Sequence, residues 1–572
     1  MQAWAPFFFV AMSHPRYVHS VQALALLSLG LAGCSQGFYK KWADKQVFGI
    51  ISGKKEAVAG AGDDTLLSIT QPQPAKLDAL MKQSETVDFL GKRAFIEEGA
   101  RVITLADALD FGVHRNRTYL SRKEQVYLSA LGLTGTRQLY SPIGDSAGGG
   151  TFSERQVKSG VNNWVRASTL TTNGALGLTY LMKTGARLAL DLTTDFQRFF
   201  TGNVKSLSDS RAAATLSQPL LRGAGVLAAA EPLRQNERDV LYAIRDFTQY
   251  RKGFAVDVTR QYLRTIQARE AARNRYLAYK ASLVSIIRDR ALAEANLRTQ
   301  SMLKQIEQGS ITYERTWLAA IVAYEDQLDN LKVTLGLPVT ERIMPDSKEI
   351  KRLEIIHPKE PVEQMVDTAI ITRLDLYNQR ERLQDASRKV KIAHQNTLPT
   401  VNALTNYEMA TPTGNPGLEL NPHQRRMSGG LFIDPNLNTL PERNLLRAAQ
   451  VLEQSTRRGL ELQEEQLRAT IRTDWRALEL ARRQYELAQK GLELAQKRLE
   501  IEEALMAEGL GTARDIVESQ DRLITARDLI ISTIIDHNLV RLQLWTDMGV
   551  LFIRKDGTWV DVLDSEKVKE DS

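Results

Sequence analysis

The clearest signal along the chain is a change in the period of its apolar positions. From Thr104 they recur at helical spacing through Leu133, after a capping-box-like opening, Thr104-Leu105-Ala106-Asp107, with Asp where Glu is usual. A stretch rich in Gly, Ser and Thr follows. Within it Leu188, Leu190, Leu192, Thr194 and Phe196 alternate with Ala189, Asp191, Thr193 and Asp195. A period of two with one apolar and one polar side predicts a strand. A second strand is expected from Arg211 to Leu220. Pro232 then opens a segment with no proline before Pro338, in which Ile244, Phe247, Phe254, Val258, Tyr262 and Ile266 keep helical spacing. Proline suits a helix start, where its missing N–H would have no intrahelical partner anyway. A helix over 232–294 would be roughly 95 Å long at 1.5 Å per residue. That length calls for a coiled coil or bundle. A break at Ala295-Asn296-Leu297 separates it from a return helix ending near Gly336-Leu337-Pro338.

The same order recurs. Residues 361–397 read as a helix, with Arg373-Leu374-Asp375-Leu376 standing where Arg117-Thr118-Tyr119-Leu120 stood, and Leu398-Pro399 stops it. Val401, Ala403, Thr405, Tyr407 and Met409 alternate with Asn402, Asn406 and Glu408. A turn from Thr413 to Pro422 leads to a fourth strand, Met427 to Asp434, and Pro441 opens a helix that no later proline interrupts. That helix carries Ile471, Leu478, Tyr485, Leu492, Leu499 and Met506 at an interval of seven, with Ala481, Ala488 and Ala495 beside them. A strict heptad imposes coiled-coil packing. The break Ala507 to Thr512 answers the one at Ala293 to Thr299, and each return helix runs about 40 residues beyond its break. The chain therefore divides into a first repeat, 103–336, a linker, 337–360, and a second repeat, 361–549. An extension, 34–102, precedes them and a tail, 550–572, follows.

The N-terminus changes the picture. His14, Arg16 and His19 precede an apolar run, Val21 to Leu31, ending in Leu31-Ala32-Gly33-Cys34. Such a run is too short to span a bilayer as a helix but suits a signal peptide, here 1–33. Met12 would give a more usual signal length than Met1. The Leu-Ala-Gly-Cys ending resembles the bacterial lipobox, which implies cleavage before Cys34 and acylation of its thiol, palmitate included. A chance cysteine after an ordinary signal is the plainer alternative. Cys34 is the only cysteine, so no disulfide can form within a chain.

Composition adds exclusions. The chain is 43% hydrophobic and 25% charged, as ordered proteins are. Its net charge of +7 comes from 75 basic and 68 acidic residues interspersed along the sequence. No concentrated basic face with stacking aromatics stands out, so nucleic acid is not an expected partner. The seven histidines show no metal-ligand spacing. Gly223-Ala224-Gly225-Val226-Leu227-Ala228 matches a dinucleotide-binding pattern, but no βαβ alternation surrounds it. Trp317, Trp475 and Trp545 lie in helical stretches and read as packing residues. No enzyme, cofactor or metal is expected.

Strands that cross a membrane must close into a barrel so that every backbone group is paired. Four strands of one chain leave open edges, which several copies could close by pooling strands. Apolar and polar faces then suit lipid outside and water inside. With Gln218-Pro219-Leu220-Leu221-Arg222-Gly223 after the second strand, Leu440-Pro441-Glu442-Arg443-Asn444 after the fourth, and Gly509 at the second tip, residues 100–550 resemble the TolC (outer-membrane efflux protein) family, lipoprotein type. The resemblance implies a mainly α fold with a transmembrane β part. In it a homotrimer makes a twelve-stranded barrel, four strands per chain, continued by a twelve-helix tunnel. It implies an exit duct in the outer membrane for a tripartite efflux or type I secretion system. It also implies docking on a periplasmic adaptor (membrane fusion protein) served by an inner-membrane pump of RND, ABC or MFS type. The transported substrate is not legible.

By the same resemblance Asp515 and Glu518, three apart on one helix face, match acids that constrict the periplasmic mouth. Acids in a helix's first turn are also stabilised by its dipole, without any gate. Ala295, Asn296, Leu297, Arg298 and Thr299 at one tip, and Gly509, Leu510, Gly511 and Thr512 at the other, are the expected adaptor contacts. A tight helix-to-helix turn alone would also use such residues. Two rival readings share some of these features. A periplasmic adaptor would show one hairpin flanked by small β domains, and a pore-less coiled-coil lipoprotein would leave the two-faced strands unexplained.

Overall fold

The computed structural model describes residues 36–58, 60–61, 80–83, 87–158, 164–200, 206–295, 299–358, 360–411, 420, 423–508, 510–554 and 557–560. Cys34 and the signal segment lie outside the described residues, as do Asn296, Leu297, Arg298, Gly509 and most of the expected 413–422 turn.

Helix α1 (Gln36–Lys55) precedes a three-residue strand, β1 (Arg101–Ile103). The first repeat follows as α2 (Leu105–Arg115), α3 (Arg117–Leu139), β2 (Ile143–Lys158), β3 (Trp164–Leu181), β4 (Arg187–Phe199), β5 (Ser206–Pro219), α4 (Glu231–Glu294) and α5 (Gln300–Leu335). A short strand, β6 (Ile343–Pro345), lies in the linker and pairs parallel with β1. The second repeat is α6 (Val362–Thr372), α7 (Leu374–Gln395), β7 (Thr400–Ala410), β8 (Arg425–Asp434), α8 (Leu440–Ala507) and α9 (Ala513–Asp547). The 64-residue α4 and 68-residue α8 run for about 96 Å and 102 Å at 1.5 Å per residue.

The capping box at Thr104 and Asp107 is formed, with both reciprocal bonds present. The four expected strands are β4, β5, β7 and β8. The sheet, however, holds six strands in the order β2-β3-β4-β5-β7-β8, all neighbours antiparallel, so four strands per chain is corrected to six. The two additions fill the Gly/Ser/Thr-rich stretch. On the sheet side that β3 lines with Leu176 and Leu178, β2 carries Gly144 and Ser146 at the paired positions, so its alternation has little apolar amplitude. The single helix expected over 361–397 is two helices, as in the first repeat. Arg373 and Asn116 occupy the two breaks, so Arg373 corresponds to Asn116 rather than to Arg117.

The duplication extends to hydrogen bonds. Asn116 donates through Nδ2 to the Thr334 carbonyl near the end of α5, at 2.8 Å. Arg373 donates to the Asp547 carbonyl at the end of α9, at 3.0 Å. Each return helix ends at a glycine with positive φ, Gly336 (71°) or Gly549 (76°). A side chain at Gly336 would collide with the backbone of Arg115, and one at Gly549 would crowd that of Thr372. Those are the last residues of α2 and α6.

The extension and tail fold onto this frame. Glu97, fully buried, accepts from Arg269 Nε at 2.7 Å and Nη2 at 2.8 Å, and from the Tyr324 hydroxyl at 2.6 Å. Losing one member of so deep a pair strands the other charge, at about 3–5 kcal/mol. Val47, Ile50 and Ile51 seat α1 in the main core with Tyr119, Val240 and Ile244. Asp44 accepts from the Tyr127 hydroxyl at 2.7 Å, and Lys54 lies beside Arg137, so α1 runs parallel to α3. In the tail, Phe552–Ile553 and Trp559–Val560 form a small antiparallel pair.

Candidate functional site: the strand wall and the hairpin tips

Residues directly opposite one another in an antiparallel pair share a face. One register row therefore runs Gly144, Leu178, Leu190, Ala214, Tyr407, Met427 across all six strands. The next row, on the opposite face, runs Asp145, Gly177, Asp191, Ala213, Glu408, Arg426. The first face continues with Leu176, Leu192, Leu216, Leu431 and Ile433, and the second with Asn173, Thr193, Thr215 and Asn406. Leu176, Leu178, Leu190, Leu192, Leu216, Met427, Leu431 and Ile433 are all exposed in the single chain. A sheet with one apolar and one polar face, and among the described residues no layer over the apolar one, fits lipid on one side and water on the other. Both outer strands, β2 and β8, have an unpaired edge.

Below the sheet the long helices lie side by side in the order α5, α4, α9, α8. Polar bonds join the two hairpins at the α4–α9 contact. Arg264 meets Asp536 at 2.6 Å, Asn274 donates to Asp528 at 2.9 Å, and Arg275 meets the same carboxylate at 3.1 Å. Burial pushes the Asp528 carboxyl up, opposed by Asn274 and Arg275. Ile471, Leu478 and Met506 of the expected heptad are buried, together with Ala481 and Ala488. A second stripe, displaced by two residues, faces outward: Leu480, Leu487, Leu494 and Ile501 are 57%, 67%, 66% and 58% exposed. On the opposite flank, α5 exposes Ile311, Leu318, Val322 and Val333. Both flanks of the four-helix row are thus apolar stripes that no other described residue of the chain covers.

The two hairpin ends come together. Ile306, Met506 and Ile516 form a small core beside Ile286 and Met302. The Tyr313 hydroxyl donates to the Val517 carbonyl at 3.1 Å. At the second tip the N–H groups of Leu510 and Gly511 donate to the Leu505 carbonyl at 2.9 and 3.1 Å. A Cβ on Gly511 would stand 2.9 Å from the Met506 nitrogen, so glycine is required there by close approach. Leu510 projects outward, 78% exposed. At the first tip Ala295 caps α4, and Thr299 caps α5 by accepting from the Met302 N–H.

Asp515 and Glu518 lie in the opening turns of α9 and each has a local partner. Thr512 accepts from the Asp515 N–H at 3.2 Å and donates to its carboxylate at 2.5 Å. Glu518 accepts from Arg522 at 2.6 Å. Both remain partly exposed. Asp521, next in the three-residue series, was missed as a distinct case. It lies toward Tyr313, where burial pushes its carboxyl up and the Tyr313 hydroxyl opposes the shift. Among the described residues no His, Cys, Asp or Glu cluster could hold a metal ion. Nor is any helix there long and apolar enough to cross a membrane, which says nothing of a barrel.

No family model matches the sequence, and no curated protein matches it. Solved structures do. The CmeC outer membrane channel of Campylobacter jejuni is 13% identical, with a TM-score of 0.57 over 88% of this chain and 96% of that one. A membrane protein from Pseudomonas aeruginosa is 14% identical, with a TM-score of 0.59 over 84% and 99%. The open state of the MtrE outer membrane channel of Neisseria gonorrhoeae is 12% identical, with a TM-score of 0.57 over 79% and 90%. The chain therefore has the fold of these outer-membrane channels, a helical part joined to a β part.

Proposed function

We propose that this chain is the outer-membrane exit duct of a tripartite efflux or type I secretion system, and that it works as a homotrimer. The observation that carries the reading is the six-stranded sheet, apolar on one face, polar on the other and open at both edges, continued by two hairpins about 100 Å long. Such a sheet cannot stand in a membrane alone, because its edge N–H and C=O groups would be unsatisfied there. Further copies satisfy them, and the same copies cover the apolar stripes of α8 and α5. The likeness to channel structures supports the same reading.

Such a duct conducts without chemistry. Its polar face lines water, its helices extend the path into the periplasm, and its closed end lies at the hairpin tips. We place a constriction at Asp515 and Glu518, six carboxylates in a trimer, which would favour cations and repel one another. We place contact with a periplasmic adaptor at the exposed tips around Ala295–Thr299 and Gly509–Thr512, with an inner-membrane pump of RND, ABC or MFS type behind the adaptor. Cys34 carries the lipid anchor in this reading.

The assembly is tested by the mass of the detergent-purified particle, corrected for bound detergent. Three chains per particle are expected. A particle of one chain contradicts the duct.

A further inference from the structure

The strand wall and the helix row point to how neighbouring copies join. The sheet ends in β2 on its first-repeat side and in β8 on its second-repeat side. The helix row ends in α5 of the first repeat and α8 of the second, each with an uncovered apolar stripe. Both layers therefore offer a first-repeat edge on one flank and a second-repeat edge on the other. The outer strands are rich in glycine, β2 with Gly144, Gly148, Gly149 and Gly150 and β8 with Gly429 and Gly430; of the inner strands β3 carries Gly174 and Gly177, and β4, β5 and β7 carry none. Glycine in a strand leaves room for another backbone to approach closely.

We infer that β8 of each copy pairs antiparallel with β2 of the next, closing an eighteen-stranded barrel with β2 and β3 as part of its wall. This rests on the trimeric duct proposed above and specifies the interface that completes it. The alternation of strand direction across the sheet leaves β2 and β8 pointing oppositely, so a β8–β2 junction continues the antiparallel order.

The register is decisive. Within one chain the row through Ser428 passes Asn406, Thr215, Ala189 and Thr179 and enters β2 at its first residue, Ile143. Joined to a neighbour without offset, only Arg425 to Ser428 of β8 would meet strand residues, and the rest would run past the start of β2. A closed barrel cannot have zero offset, because its strands tilt by roughly 35–45°. For eighteen strands that tilt displaces the row by about six to eight residues per chain. Moved by that amount along β2, all ten residues of β8 find partners between Ile143 and Glu154. An even offset keeps the polar faces together and sets Ser428 opposite Gly149 or Thr151 of the next copy. With strands ~4.8 Å apart and tilted ~40°, the eighteen-stranded wall is ~36 Å across, against ~24 Å for twelve.

Cysteine pairs in the full chain test this junction. Ser428→Cys combined with Gly149→Cys or Thr151→Cys is expected to give covalent trimers on non-reducing gels after mild oxidation, and the parent chain, whose only cysteine is Cys34, is expected to give none. Covalent trimers from Ser428→Cys with Thr193→Cys or Asp195→Cys would overturn the inference, because β8 would then meet β4 of the next copy. Electron cryomicroscopy of the unaltered protein gives a second measure. Eighteen strands support the junction. A conducting trimer with twelve strands, and β2–β3 outside the wall, overturns it but leaves the duct intact. A particle that neither forms trimers nor conducts ions overturns the duct itself.

Discussion

Arg373 is clamped to Asp547, donating to its carbonyl at 3.0 Å and to its carboxylate at 2.7 Å. The contact ties the break between α6 and α7 to the end of α9, as Asn116 ties the break between α2 and α3 to Thr334 near the end of α5. The second repeat uses a charged clamp where the first uses an amide. Arg373→Ala is expected to destabilise by about 1.5–3 kcal/mol, the range for hydrogen bonds to charged groups. Asn116→Ala, which also loses the cap on the Tyr119 N–H, is expected to cost about 1 kcal/mol. Thermal unfolding of the two variants in one detergent ranks them, and an equal or reversed order contradicts the assignment.

Asp474 shares this corner. Burial first, then the neighbouring Asp547 carboxylate, push its carboxyl up to about 7, with Arg373 opposing. A carboxyl raised in the folded state binds its proton more tightly there than in the unfolded chain. Its contribution is therefore fully present below the ordinary carboxylate range, and it is lost as pH rises from about 4 through about 7. Asp474→Asn should flatten that decline, raising the melting temperature at pH 8 and changing it little at pH 4. Parallel pH profiles for the variant and the parent chain would place the carboxyl elsewhere.

At the mouth, Asp515→Asn with Glu518→Gln is expected to weaken block of the open channel by divalent cations. Stability should change little, because Asn at 515 keeps an acceptor for Thr512 and Glu518 contributes only a partly exposed pair with Arg522. Block that is unchanged in single-channel recordings would move the constriction away from these residues.

Cys34→Ser is expected to abolish palmitate labelling, and persistent labelling would refute acylation at that residue. The structure adds a condition. Because α1 runs parallel to α3, its first turn lies level with about Tyr119, roughly 30 Å from the strands at 1.5 Å per residue. An acyl chain at Cys34 reaches a membrane around the strands if residues up to about Ala43 are extended, at ~3.4 Å each. Phe38, Tyr39 and Trp42 in that stretch are exposed, and the buried contacts of α1 begin at Val47.

Much of this architecture is written locally. The Thr104 capping box, the prolines that open α4 and α8, and the period-two pattern of β4 and β7 each depend on neighbours a few residues away. Strands β2 and β3 were less legible because glycine and threonine dilute their apolar face, and only pairing with β4 makes the face continuous. The role of the extension was not legible either, since Glu97 meets Arg269 and Tyr324 across 172 and 227 residues. Matching Arg373 to Arg117 was one residue out. Two arginines resemble each other in sequence, but the helix break aligns Arg373 with Asn116. At the tips, the family resemblance brought Asp515 and Glu518 forward as a pair, and only the fold separates Asp521 from them by its contact with Tyr313.

The central claim is conduction through a pooled barrel, and planar-bilayer recording of the detergent-purified, full-length protein tests it most directly. Discrete single-channel steps from a three-chain particle, sensitive to divalent cations added on the side of the hairpin tips, are the predicted result. A stable particle that inserts into the bilayer and passes no current under any polarity or salt would contradict the account.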